Sequence, residues 1–485
     1  MTAAMGQRHP NIIVILSDDQ GPWALGCAGN PEIRTPNLDA LAECGTRLSR
    51  FFCVSPVCSP ARASLLTGQI PSRHGVHDYL DGPHAGPDSV DYLGSIPTFT
   101  DALADAGYRL GLSGKWHLGA SDRPRRGFSH WFALHGGGSP YDHATMYRDT
   151  EPVEIDGYLT DVFAEDAIGF VETAAGGDEP FFLALNFTAP HKPFAGQHPL
   201  GYTELYRDCA FESCPQEPAH PWQPTVDGVP IGGEPDAREA LIGYFAAVTA
   251  MDAAIGRVLD AVNQQGIARD TLVVFASDNG FNCGHHGIWG KGNGTFPQNM
   301  YDESVMVPFI VARPGQIREG VVVDDLLSGY DLAATLLELA GLDPAPFETG
   351  PGQSFAPLLQ GEPQPGRAVV VHDEYGPVRM IRTGDRKYVH RHPFGPHELY
   401  DLQNDPGERV NRIDDPAWAA ELSSLRARLD DWFQRHADPL ADGARLPVVG
   451  AGQVAPLGDD PLGPFTPPNW DGTPAKASKT KGDCR

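Results

Sequence analysis

Two acidic steps stand directly behind apolar runs in this sequence. NIIVILS (11–17) is followed by Asp18-Asp19, and TLVVFAS (271–277) is followed by Asp278-Asn279-Gly280. An aspartate behind one strand ordinarily caps a helix or makes a turn. Two such pairs at matching positions, with no cation in either, supply three carboxylates and an amide oxygen, a hard donor set for a divalent cation. The set suits Ca²⁺ and tolerates Mg²⁺, so Asp18, Asp19, Asp278 and Asn279 are the expected metal ligands.

Other strand ends carry the opposite charge. YRLGLS (108–113) leads into GKWHLG, giving Lys115 and His117; FFLALNF (181–187) leads into TAPHKPF, giving His191 and Lys192; Lys291 lies in IWGKGNG. Single lysines and histidines of this kind are common on surfaces. Together with Arg62 they make the cationic pocket that an acidic protein needs for a small anionic substrate. In CSPARASLLTG, Ser59 reads as an N-cap, Pro60 as the first helical residue and Gly68 as the stop. Cys58 is then expected just before a helix N-terminus, where amides and the macrodipole favour an anion, with Arg62 one turn along. That position suggests a thiolate nucleophile. A thiolate is a poor partner for a hard cation, however, so the two constellations conflict while residue 58 carries sulfur.

The elements that must hold these residues are legible as period and length. Five apolar runs, at 11–17, 108–113, 181–187, 271–277 and 307–314, read as buried parallel strands. Helical patterns occupy 37–45, 98–107, 160–174 and 240–266. Their alternation predicts an α/β sheet covered on both faces, in which ligands bind beyond the carboxyl ends of the strands. Residues 196–238 read as a long surface excursion. Beyond a boundary near 358–370, extended segments and an amphipathic helix at 415–438 predict a small α+β domain. The expected organisation is a main domain over 8–362, a small domain over 367–438 and a Pro/Gly-rich tail over 439–485 that wraps or is disordered.

At 485 residues the chain is too long for one compact core. A net charge of −27 argues against nucleic acid or an anionic membrane as partner. The first apolar run ends after seven residues in two aspartates, short of a signal-peptide core, and no run reads as membrane-spanning; a cytoplasmic protein is expected. The eight cysteines lack partners spaced for zinc and are expected to be mostly free.

Cys58-Ser59-Pro60-Ala61-Arg62, continuing to Thr67-Gly68, resembles the signature of the type I sulfatases of the alkaline phosphatase superfamily. PNIIVILSDDQG, TPNLDALAECGTRLSRFF, GKWHLG, APHKPF, FASDNG, DESVMVPFIVARPG and HELYDLQNDPGERVN are similar to further blocks of that family, over most of 8–435. The resemblance implies a large mixed, mostly parallel sheet sandwiched by helices. It implies that a separate formylglycine-generating enzyme oxidises Cys58 to formylglycine, whose hydrated aldehyde offers oxygen to the metal beside Asp18, Asp19, Asp278 and Asn279. Arg62, Lys115, His117, His191 and Lys291 would surround the sulfate and the nucleophile, although the glycine-rich loop around Lys291 departs from the family's more apolar form. The implied reaction is hydrolysis of a sulfate monoester of a sugar, aryl or small alkyl alcohol. His191, with Lys291, would protonate the leaving alcohol, and His117 would take the proton that lets sulfate depart.

Of the remaining histidines, His74 is carried as a substrate contact, with a hydrogen-bonded loop histidine as the equal alternative; of His285 and His286, at most one would face the site. His372, Asp373, Glu374 and Arg382 are candidates for a pocket wall, against the commoner reading as surface polarity, and Tyr79, Tyr92, Tyr141 and Tyr147 for stacking or packing. Two rivals stay open: a phosphonate or phosphate ester hydrolase on the same fold, and an unmodified, inactive anion-binding protein.

Overall fold

The computed structural model describes residues 9–373, 377–458 and 463–465. The main sheet comprises β1 (Asn11–Ser17), β2 (Thr46–Leu48), β3 (Arg109–Gly114), β4 (Phe128–Leu134), β5 (His143–Arg148), β6 (Glu151–Asp156), β7 (Phe181–Asn186), β8 (Thr271–Ser277), β9 (Phe309–Ala312) and β10 (Val321–Val323). Their order is β10-β2-β9-β8-β1-β7-β3-β4-β5-β6. From β8 to β4 neighbouring strands run parallel. The run at 307–314 is a strand as expected, but β9 lies antiparallel to both β8 and β2. A strand buried on both faces is apolar whichever way it runs, so composition carries no direction. The edge strands β5 and β6, more polar than the centre, were not anticipated from the apolar runs.

Successive side chains of β1 enter different helical layers, as the period of two requires. Ile12, Val14 and Leu16 join the core with Leu65 of α2 (Cys58–Thr67) and Phe99 and Leu103 of a helix at Phe99–Asp105. Ile13 and Ile15 join Leu38 of a helix at Pro36–Glu43, Phe163 of one at Leu159–Ala175 and Met251 of one at Ala237–Gln264. The Ala237–Gln264 helix is long and apolar enough to cross a membrane, yet 89% of its most apolar window is buried inside the protein, so it is a core helix. The 196–238 segment is largely irregular, with short helical turns at Leu200–Tyr206 and a two-residue hairpin pair at Thr225–Val226 and Val229–Pro230.

The small C-terminal sheet is antiparallel, built from Val369–Asp373, Val378–Arg382, Arg386–Arg391 and Glu398–Asp401. Leu425, Leu429 and Phe433 of the helix Ala419–His436 cover Val370, Ile381, Tyr388 and Leu399. His372 packs on Trp432 and Phe433 there, and Arg382 donates to the carbonyls of Thr383 and Gly384, so neither reads as a pocket wall. Glu374 lies outside the described residues. Within the described part of the last segment, Gln453 bonds residues 75–81 through backbone and side chain. The seven described cysteines are free; Cys484 lies outside the described residues.

Candidate active site

β1 and β8 are adjacent and in parallel register, Ser17 opposite Ser277, so their acidic steps leave the sheet side by side. The Asp278 carboxylate accepts from the backbone N–H of Asp19 at 3.3 Å and of Asn279 at 2.8 Å. The Asn279 amide donates to Asp19 Oδ1 at 2.8 Å, while its Oδ1 is buried with no hydrogen-bond partner. Asp19 holds a left-handed φ of 62°, a conformation aspartate tolerates and one that recurs at functional sites. Carboxylate oxygens of Asp18 and Asp278 and the Cys58 sulfur all lie within 4.8 Å of one another, all buried. Buried carboxylates around an unsatisfied amide oxygen fit a hard cation; the sulfur of Cys58 is the one donor that does not.

Three cations meet this acidic group. Lys115 pairs with Asp18. Arg62 donates through Nε to Asp278 Oδ2 at 2.8 Å and through Nη1 to the Lys115 carbonyl at 3.1 Å, leaving Nη2 buried and unpartnered. Lys291 Nζ reaches Asp19 Oδ1 at 2.5 Å and Cys58 Sγ at 2.8 Å. Burial opposes the charge on Lys291, but Asp19 and the other acidic groups hold its ammonium well above the usual lysine range. Burial likewise raises Asp19, and Lys291 and His191 outweigh it and hold the carboxylate ionised. Asp278 is raised by burial and by Asp18 despite Arg62, the mark of a carboxylate short of positive charge.

Both sequence-expected histidines border the group. His191 Nε2 is 3.8 Å from Asp19 Oδ2, and burial lowers the ring to about 4, only partly offset by Asp19. His117, at φ 54°, places Nε2 3.1 Å from the Leu80 carbonyl. A carbonyl only accepts, so Nε2 carries the hydrogen and Nδ1, buried and unpartnered, keeps its lone pair. Burial and Lys115 push His117 well below the usual range, leaving it neutral.

The local reading of the cysteine segment needs correction. Cys58 is the first residue of α2 rather than the one before it, Val57 is the N-cap, and Pro60 is third. Ser59 does not cap: its hydroxyl donates to the His117 carbonyl at 3.0 Å and accepts from Leu80 N–H at 3.1 Å. These long-range partners outcompete the local one. Gly68 ends the helix at φ 64°, as expected. Burial, reinforced by Asp18, pushes the Cys58 thiol up to about 12 against the pull of Lys115 and Lys291, so the helix start does not produce a thiolate.

His74 is turned into the fold. Its Nε2 meets Ser64 Oγ at 2.9 Å and its Nδ1 accepts from Val76 N–H at 3.2 Å, the loop-histidine alternative rather than a substrate contact. His285 and His286 are engaged with Ser213 and Glu303. Lys192 donates to the Ile231 carbonyl at 2.7 Å. Tyr141 is buried with its hydroxyl on the His191 carbonyl, and Tyr79 donates to the Ala451 carbonyl, so both serve packing. Sequence reading missed Asn186, the last residue of β7, which donates to the Lys115 carbonyl at 3.0 Å; a polar residue ending an apolar strand was the available signal. It also missed the loop Gly136–Gly138: a Cβ on Gly137 would stand 2.3 Å from the His117 ring, so only glycine permits that approach.

Residues 10–342 match the sulfatase family model, and residues 284–435 match that of the N-sulphoglucosamine sulphohydrolase C-terminal region. The chain is 31% identical over 443 residues to the ulvan-active sulfatase of Formosa agariphila, covering 87% of this chain and 80% of that one. A solved structure described as bound to its substrate D-glucosamine-2-N,6-O-disulfate superposes with a TM-score of 0.76 at 24% identity, over 90% of this chain and all of the other. The phosphonate monoester hydrolase of Agrobacterium radiobacter shares the fold at a TM-score of 0.67 and 23% identity, over 88% and 96% of the two chains. The chain belongs to the sulfatase family, enzymes that hydrolyse sulfuric esters, within the alkaline phosphatase superfamily.

Proposed function

We propose that this sulfatase carries formylglycine at position 58, binds one divalent cation, Ca²⁺ in preference to Mg²⁺, and removes sulfate from a sulfated sugar. The observation that carries the reading is the buried Asp18–Cys58–Asp278 group with the unpartnered Asn279 oxygen beside it. Oxygen at position 58 would complete a hard ligand set that sulfur interrupts. Cys58 is 3% exposed, so its modifying enzyme would meet it before the chain folds. The sugar rests on the relatives: one is named for ulvan, and the structural neighbour's described substrate is a disulfated glucosamine.

Asp18, Asp19, Asp278 and Asn279 would hold the metal. When present, the metal and the modified residue supply Lewis acidity and the attacking oxygen. The chain's own groups do the rest. Arg62, anchored on Asp278, has a spare N–H pair for a sulfuryl oxygen, and Lys115 and Lys291 offset the charge that develops there. His191 is neutral in the resting site and takes up its proton under the influence of the anionic substrate, then delivers it to the leaving oxygen. His117 Nδ1 accepts the proton whose removal frees sulfate.

The test combines the peptide mass of the Cys58 segment, which reads loss of sulfur and gain of an aldehyde, with turnover of sulfated monosaccharides, an aryl sulfate and an aryl phosphonate monoester. An aldehyde at 58 with preference for a sugar sulfate supports the reading. Preference for the phosphonate would move the enzyme to the neighbouring activity, and plain cysteine in protein from the native host with no ester cleaved would mean an inactive anion binder.

A further inference from the structure

The end of the described chain is tied to the site by a short backbone ladder. Gln453, fully buried, donates from its backbone N–H to the Tyr79 carbonyl at 2.7 Å and accepts from Asp81 N–H at 2.9 Å. Its side-chain oxygen accepts from His77 N–H at 2.8 Å, and its amide donates to the Gly75 carbonyl at 3.0 Å. One residue earlier, Gly452 N–H donates to Asp78 Oδ2 at 3.2 Å. The strap therefore holds residues 77–81 on both sides of Leu80.

Leu80 is the residue that addresses the site. Its N–H donates to Ser59 Oγ at 3.1 Å, the same hydroxyl that donates to the His117 carbonyl, and its own carbonyl meets His117 Nε2 at 3.1 Å. The Leu80 peptide thus spans the start of α2 and the His117 ring. The carbonyl fixes both the tautomer and the orientation of that ring. Nothing else described bonds the ring: Nδ1 is unpartnered, and Gly137 offers only its backbone.

We propose that the strap Gly450–Gln453 is a positioning element for His117, acting through the Leu80 carbonyl to keep Nδ1 as the proton acceptor. The inference rests on the reading of His117 as the base that frees sulfate. It assigns a role in turnover to a part of the chain that lies outside both matched family regions, which end at residues 342 and 435.

Two strap variants leave every site residue in place. Gln453→Ala removes both side-chain bonds to 75–77. Gly452→Ala strains a backbone at φ +110° and places a Cβ 3.2 Å from Tyr79 and Asp81, so it displaces the ladder by another route if the first variant folds poorly. Leu440→Ala, at a side chain 92% exposed, is the control and should change nothing. Three readouts apply to each: deuterium uptake of the 77–82 amides, kcat and KM for a cleaved sulfate ester, and the ¹⁵N tautomer signature of His117.

The expected result is faster exchange over 77–82, a mixed His117 tautomer and a fall in kcat of about tenfold or more, with KM within about twofold, because a misoriented base affects turnover rather than binding. Faster exchange with an unchanged tautomer and unchanged kcat would overturn the proposal and leave the strap a plain anchor. A rise in KM alone would also overturn it, assigning the strap to the pocket wall. Should the wild-type enzyme cleave no sulfate ester, the catalytic reading fails, while the exchange and tautomer measurements still decide whether the strap sets the ring.

Discussion

Lys291 Nζ bridges Cys58 Sγ at 2.8 Å and Asp19 Oδ1 at 2.5 Å, so one buried ammonium joins the start of α2 to the step behind β1. The bridge spans 233 residues to Cys58 and 272 to Asp19. A charge so placed serves both the folded state and the chemistry. Lys291→Met should lower stability by about 3–5 kcal/mol in protein freed of metal, because it leaves Asp19 buried without its main partner. It should also lower kcat by roughly 10²–10³-fold. Urea unfolding and steady-state kinetics on one preparation check both; a variant as stable and active as wild type would remove Lys291 from the site.

Cys58→Ser keeps the size of the side chain but forecloses the aldehyde. Turnover of the sulfate ester should fall by about 10³-fold or more, while the melting temperature stays near that of wild type. A serine variant retaining substantial activity would show that an ordinary hydroxyl suffices and that the formylglycine reading is wrong.

Removing the metal should destabilise as well as inactivate. With the cation at about 100 times its dissociation constant, binding adds roughly 2.7 kcal/mol, which a chelator should abolish and Ca²⁺ restore. Metal content measured on Asp18→Asn and Asp278→Asn should fall below that of wild type. Equal metal content in both would place the ion elsewhere.

Asp78 gives the strap a pH dependence. Burial raises its carboxyl from 3.8 to about 7, while the backbone amides of Gly452, Tyr79, Gly450 and Ala451 pull it back down. The folded state therefore holds a proton that the unfolded chain has released, and the stability this contributes is complete below about pH 4 and lost as pH rises through about 7. The span is on the order of 4 kcal/mol. Asp78→Asn should flatten this slope, so that its stability relative to wild type improves from pH 5 to pH 8. Parallel urea-unfolding curves for the two proteins at both pH values would count against it.

Much of the site was legible because its residues terminate strands. Burial forces a strand to be apolar, so the first ionisable residues after β1, β3, β7 and β8 stand out in the sequence: Asp18, Lys115 with His117, His191 and Asp278. A parallel sheet then brings those ends to one edge. Lys291 follows no long strand; its place in a glycine-rich loop soon after Asp278 marked it only as one cation among several, and its role beside the sulfate came from the resemblance. For His74 the sequence leaves a substrate contact and a loop hydrogen bond equally open, because proximity to Cys58 in sequence says nothing of which way the ring turns.

By itself the sequence determined the alternation of strand and helix, the edge at which chemistry would occur and the mismatch between sulfur and a hard-cation site. These follow from local rules of burial and donor chemistry, which each residue obeys wherever its neighbours come from. Only the tertiary structure decided the antiparallel direction of β9, the surrender of Ser59 from cap to bridge, the thiol state of Cys58 and the return of Gln453 to the Leu80 loop. Each depends on a partner distant in the chain, and a bond or field from that partner outweighs the local preference that the sequence displays.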